Sequence, residues 1–373
     1  MMVPRRVLQG IADLLLPIAF LGSIGLVLAR TDWQGRSDLV ERLEARKPAL
    51  LPAAPRSLAQ AYHYPAEFSR FLDDHYGLRE AAIGLRARIG FWLLGDTFNN
   101  DVSVGQHGWL FLTGHGELRD TLHAEPLTPR ALAEWARSIE ERRTWLAARG
   151  IRYLFVVAPD KRTIYPENLP RYQHRPGQTR REQLDARLAG EDGFLDLAPA
   201  LREAKAEGQV YYRWDTHWDR HGAYTGYRAV MQRLGLPAEP EFLGHAPDHE
   251  DHVGDLGRLS GLTLTEADQV PTASCPVHVP PPAVSLRADP ALVGERGFKV
   301  EPTACAQGTG RLLMFHDSFG EMWVPWLSTQ FAGAVYVWRM PSFEDIKRMV
   351  EAVHPTVVIE ERVERFLVLP VRP

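Results

Sequence analysis

The chain has 373 residues, 45% of them hydrophobic, and a formal net charge of -4. That is enough apolar material for one large domain with appendages. The charge balance offers no basic surplus for nucleic acid, and no acidic tail stands out.

Arg5 and Arg6 precede an apolar stretch from Val7 to Ala29, interrupted mainly by Gln9 and Asp13. Its length suits a helix crossing a hydrocarbon core. Basic residues ahead of such a span predict a cytoplasmic N-terminus and a body outside. The expected organisation is a single-pass signal anchor over 1–30 in the inner membrane, with the body in the periplasm. Cleavage as a signal peptide after Ala29 is the alternative. Residues 31–64, with Pro48, Pro52 and Pro55, read as a juxtamembrane stalk, and 65–373 as one domain.

Apolar spacing predicts helix through 65–95, on Phe68, Phe71, Leu72, Leu78, Ala82, Ile83 and Leu85. Gly105-Gln106-His107-Gly108, between a Val-rich segment and Trp109-Leu110-Phe111-Leu112, signals a hairpin. From there helices and short apolar strands alternate. Helices are expected over 129–148, 180–188, 221–234 and 343–353. Strands are expected over 153–158, 194–197, 312–315, 335–338 and 356–360. This pattern indicates an α/β fold, a parallel sheet with flanking helices. Residues 262–310 break it: seven prolines and both cysteines suggest a Pro-rich insertion beside the sheet. In an exported chain, Cys275 and Cys305 are expected to form a disulfide.

Two segments carry chemistry. Asp215-Thr216-His217-Trp218 offers an acid and a base two positions apart. His316-Asp317-Ser318-Phe319-Gly320 places a serine just past the strand at 312–315, where ligand sites of open α/β sheets lie. A hydroxyl is a poor nucleophile until a base takes its proton, and a carboxylate fixes that base's tautomer. If the segments meet, they form a Ser-His-Asp acyl-transfer site. Read separately, each pair is as readily a helix cap beside a solvated side chain. Such chemistry needs no cofactor and no metal. His245, His249 and His252, among Asp248, Glu250 and Asp251, have a spacing a metal could use, but read as a solvated polar loop.

Several motifs together resemble the alginate O-acetyltransferase family (AlgJ/AlgX type) of the SGNH hydrolase-like superfamily. They are Val104–Phe111, Ala158-Pro159-Asp160-Lys161-Arg162-Thr163-Ile164-Tyr165-Pro166-Glu167, Asp215–Trp218, Gly254-Asp255-Leu256, Asp317-Ser318-Phe319 and Val357–Arg362. The resemblance covers roughly residues 65–367. It implies an SGNH-like α/β sheet, with Ser318 as nucleophile, His217 as general base and Asp215 orienting His217. It also implies acetyl transfer to an exported polysaccharide, with a membrane-bound O-acyltransferase partner supplying the acetyl group. Where such families often carry glycine before the Asp-Ser pair, this chain has His316, a competing candidate base. Trp218 and Trp323 are candidates to stack on sugar rings, and Lys161, Arg162 and Tyr165 to contact the polymer. Each is also a candidate for packing. An acetylesterase with the same triad and a non-catalytic polysaccharide-binding scaffold are the competing readings.

Overall fold

A computed structural model describes residues 5–37, 40–41, 46–114, 116–171, 176–238, 249–269 and 300–369. The chain divides into two compact units, Met1–Phe98 with Arg258–Leu262, and Asn99–Gly257 with Thr263–Pro373.

The first unit is helical. Helices run over Arg5–Arg30, Leu58–His75 and Arg79–Ile89, with a π-turn at Gly90–Leu94. The second of these starts inside the expected stalk, where the Ser57 hydroxyl accepts from the Gln60 amide and caps it. Trp33 packs on Phe68 and Phe71. Among the described residues, no helix is long and apolar enough to cross a membrane. In the helix Arg5–Arg30 the described side chains begin at Leu15. The structure therefore gives the expected membrane anchor no support.

The second unit is built on a sheet whose strands are buried on both faces. A hairpin of β1 (Val102–Val104) and β2 (Leu110–Leu112) precedes it, as the glycine-flanked turn predicts. The sheet comprises β3 (Arg152–Ala158), β4 (Phe194–Asp196), β7 (Val300–Thr303), β8 (Arg311–His316), β9 (Gly333–Trp338) and β10 (Val357–Val363). A separate antiparallel pair joins β5 (His249–Val253) to β6 (Thr265–Gln269). Strand order in the sheet is β4-β3-β10-β8-β9-β7. Neighbours run parallel except β7, which pairs antiparallel with β9. From Tyr153 to Ala158 every residue of β3 is buried, the unbroken apolar reading of a strand covered twice.

Helices supply both covers. Trp135, Ile139 and Leu146 of Pro129–Ala147, Leu184 of Arg180–Leu188, and Ile346 and Met349 of Phe343–Val353 fill one face. Leu201 of Ala198–Ala204, Tyr227 and Val230 of Arg220–Arg233, and Trp326 of Val324–Gln330 fill the other.

Two expectations need correction. The sheet is mixed rather than purely parallel, and residues 262–310 do not all lie beside it, since Val300–Thr303 forms its edge strand. Pro302 masks this strand in the sequence. A proline lacks the N–H of a central strand but fits an edge, which is where β7 sits. Residues 270–299 lie outside the described residues, and Cys275 with them. Cys305 is buried and takes part in a disulfide.

Candidate active site

Strand β8 ends at His316, and the chain turns at once into a 3-10 segment, Gly320–Trp323. The turn is tied to the neighbouring strand. Asp317 Oδ1 accepts the Phe319 amide at 3.0 Å, while Oδ2 accepts the Val363 amide at 2.8 Å. The Asp317 amide donates to Glu361 Oε2 at 3.1 Å. Ser318 thus stands at the carboxyl end of β8, half-buried, on a turn stapled to β10.

The base comes from a loop that folds back on itself between β4 and β5. Tyr211 and Trp218 form a β-bridge, and Asp219 caps the following helix through the Gly222 amide at 2.9 Å. His217 Nε2 lies 2.7 Å from Ser318 Oγ. His217 Nδ1 lies 2.6 Å from Asp215 Oδ1. An ionised carboxylate only accepts, so Nδ1 carries the proton and Nε2 is left to accept from the serine hydroxyl. The Phe319 ring packs 4.9 Å from the His217 ring and limits its rotation. The arrangement can move a proton from Oγ to Nε2 while Asp215 stabilises the imidazolium.

Long-range contacts hold the loop. Lys161, just past β3, donates from Nζ to the carbonyls of Tyr212, Arg213 and Asp215, at 3.1, 3.0 and 2.6 Å. Burial depresses the Lys161 ammonium to about 8, against the pull of Asp215 and Asp255. Glu266 on β6 accepts from the amides of Arg213 and Trp214. Asp255 accepts from the Thr216 amide at 2.7 Å and its hydroxyl at 2.6 Å. Burial and the nearby Asp215 charge raise the Asp255 carboxyl. Gly254 lets the backbones meet: a Cβ there would fall 2.2 Å from the Trp214 carbonyl oxygen. Burial opposes the charge on Asp215, but hydrogen bonds from His217 and His252 outweigh it and hold the carboxyl well below its ordinary range.

The expected polymer contacts are elsewhere. Lys161 and Arg162 are buried, and Arg162 is engaged by Asp120, Asp160 and the Thr121 hydroxyl. The Tyr165 hydroxyl accepts from the Val210 amide, and its ring packs on Trp109. Trp218 and Trp323 are 0% exposed and stack on each other. Trp323 donates to the Ala223 carbonyl. As placed, none of the five presents a face to a ligand. Lys161 and Tyr165 pin the base loop, Trp218 and Trp323 pack beneath it, and Arg162 ties the turn after β3 to Asp120 and Thr121.

His316 is buried and engaged within its own turn. Its Nδ1 donates to the Asp317 carbonyl at 2.7 Å, and burial lowers its basicity. Of the three histidines weighed for a metal, the side chains of His245 and His249 lie outside the described residues. His252 instead sits beside Asp215. Asp215, His217 and Asp255 do bring donor atoms within 4.8 Å of one another, but these atoms are engaged in the contacts just described. The sequence reading missed Glu266, weighed His252 only for a metal, and marked Glu361 and Asp255 only as parts of motifs.

The fold defines an SGNH hydrolase-like α/β domain. The chain belongs to the family described as "SGNH hydrolase-like domain, acetyltransferase AlgX", whose model matches residues 102–297, a range that holds Asp215 and His217 and ends before Ser318. It is 30% identical over 212 residues to the probable alginate O-acetylase AlgJ of Pseudomonas aeruginosa, covering 53% of this chain and 50% of that one. Identity to the Azotobacter vinelandii protein of the same name is 28%, over 46% of this chain and 42% of that one. The chain thus spans about half the length of the curated relatives it matches. Among solved structures it aligns with the O-acetyltransferase domain of Pseudomonas putida AlgJ, at 19% identity and a TM-score of 0.49, over 72% of this chain and 93% of that one.

Proposed function

We propose that the chain is an O-acetyltransferase that moves acetyl groups onto hydroxyls of an exported polysaccharide through an acetyl-Ser318 intermediate. The observation that carries this reading is the continuous line from Asp215 Oδ1 through His217 to Ser318 Oγ, with contacts of 2.6 and 2.7 Å. Family membership favours transfer over hydrolysis. The curated relatives' names, alginate O-acetylase, suggest an alginate-like polyuronate as acceptor.

In the first step Ser318 Oγ attacks the carbonyl carbon of a donor acetyl ester, and its proton passes to His217 Nε2. The tetrahedral oxyanion is stabilised by backbone amides, that of Ser318 among them. As it collapses, the donor's oxygen leaves and takes the proton from His217. In the second step an acceptor hydroxyl gives its proton to Nε2 and attacks the acetyl-serine. Collapse returns the proton to Ser318 Oγ and leaves the acetyl group on the sugar. A membrane-bound O-acyltransferase would supply the donor ester. The reaction would run outside the cytoplasm, which the Cys305 disulfide favours.

The test is Ser318→Ala as sole copy. Polymer acetylation should vanish, together with covalent labelling by a serine-directed sulfonyl fluoride. Retained acetylation would overturn the proposal. Release of acetate to water with no transfer to oligosaccharide would make the enzyme an esterase. Cell fractionation checks the location.

A further inference from the structure

Asp215 makes more contacts than a partner for His217 requires. Its Oδ1 accepts from the His217 amide at 2.9 Å and from His217 Nδ1 at 2.6 Å. Its Oδ2 accepts from the Asp255 amide at 2.9 Å and lies 2.8 Å from His252 Nε2. A carboxylate has roughly four lone-pair positions. All four are taken here, two on each oxygen, with a histidine on each.

The second histidine is itself well placed. His252 lies on β5 opposite Glu266 of β6, whose carboxylate holds the Arg213 and Trp214 amides. The His252 ring stacks on Tyr212, 3.9 Å away and 12° from parallel. Tyr212 belongs to the same loop as His217. The ring is therefore fixed from two sides, and Nε2 points at Asp215. The Asp215 side chain is 2% exposed and that of His252 is 34% exposed, so His252 stands on the solvent side of the pair.

We propose that His252 is a positioning residue: it locks the Asp215 carboxylate so that Oδ1 faces His217, and it keeps water off Oδ2. This rests on the reading of Ser318, His217 and Asp215 as the acyl-transfer machinery, and it adds a fourth member supplied by the β5–β6 hairpin. The reasoning is geometric. A carboxylate held only through Oδ1 can rotate and can share its charge with water. Either change weakens the tautomer and angle that His217 needs. The donation from Nε2 persists whether His252 is neutral or protonated, because the second proton goes to Nδ1. The hairpin therefore contributes three side chains to one loop: His252 on Asp215, Asp255 on Thr216, and Glu266 on the amides before them.

The test uses the full chain with 4-nitrophenyl acetate, which acylates Ser318 without a polymer. His252→Ala should lower kcat roughly 10- to 100-fold with KM preserved, as misplacement of a reacting group does. Besides Asp215, the groups facing His217 are Ser318, Thr216 and Asp255, and these stay in place. Freed of its lock, Asp215 turns part of its charge from His217 toward water and stabilises the imidazolium less, so the acid limb of the rate profile should move to lower pH. The low-field proton resonance of the His217–Asp215 hydrogen bond should shift as well. His252→Gln, whose amide can donate to Oδ2, should recover part of the rate and reverse both shifts. An unchanged kcat and acid limb in His252→Ala would overturn the proposal. So would equal losses in both variants with the limb and the resonance unmoved, since that pattern marks general damage to the hairpin. The resonance also separates this proposal from the reading beneath it. If the unsubstituted chain never acylates Ser318, that reading fails, while the His217–Asp215 proton still reports whether His252 positions the pair.

Discussion

Around Ser318 the chain is held by its neighbours in the sheet, whereas around His217 it is held by side chains reaching in from other segments. The Ser318 turn follows β8 without a break and is bonded to β10 through Asp317 and Glu361. The base loop has little regular structure, and its carbonyls and amides are taken by Lys161, Glu266 and Asp255. The nucleophile inherits its position from the strand register, and the base must be assembled by polar contacts. Substitutions in the supporting residues should therefore fall harder on the base than on the nucleophile.

The largest effects remove the reacting groups and affect both regions alike. Ser318→Ala and His217→Ala should each lower acyl transfer by roughly 10^4- to 10^6-fold, and the double variant should be little worse than either. Single-turnover acylation measures this.

Lys161→Met is the sharper break. It removes the shared donor from three loop carbonyls and should reduce kcat roughly 100-fold. Unsatisfied carbonyls should also lower stability, by about 1–3 kcal/mol each where water cannot reach. Denaturant melts and kinetics report the two effects separately. The same lysine has a pH signature. Its folded value of about 8, against an ordinary 10.5, means the unfolded chain binds more protons across that window. Its contribution therefore makes stability rise as pH climbs through the window, and Lys161→Met should flatten that rise. Melts at several alkaline pH values check the slope.

Asp255→Asn comes next, at roughly 10-fold in kcat, because the Thr216 amide and hydroxyl lose a charged acceptor. The smallest effect is on the serine side. Burial and the nearby Asp317 charge push the Glu361 carboxyl well above its ordinary range. Glu361→Gln keeps the shape and an acceptor oxygen for the Asp317 amide and should change kcat less than about 3-fold, whereas Glu361→Ala, which leaves that amide orphaned, should do more harm. Equal losses in Lys161→Met and Glu361→Gln would erase the contrast between the two regions.

That contrast also explains what the sequence disclosed. The strands ending before Asp160 and Asp317 were legible because burial on both faces writes an unbroken apolar run, and the helices were legible from their spacing. Ser318, His217 and Asp215 stood out by residue type at element edges. The supports did not. Glu266 and His252 lie on a hairpin of mixed polarity, and their partners depend on a tertiary approach that no local period encodes. Lys161 and Trp218 stood between ligand contact and packing, because charge and aromaticity near a site suggest a ligand as readily as a foundation. Val300–Thr303 was hidden by Pro302, which reads as a breaker until the strand is known to lie at an edge.

Strand β10 has one further consequence. Glu360, Glu361 and Arg362 are all buried in the middle of the sheet. Glu360 pairs with Arg142 and the Tyr153 hydroxyl, while Glu361 faces the Ser318 turn. Successive side chains of one strand thus brace opposite layers of the molecule. A replacement that deletes one of these polar groups cannot be silent, because it strands a partner in a dry interior. Such a strand would tolerate drift only through paired exchanges, so Glu360 and Arg142 should be replaceable together far more readily than either alone.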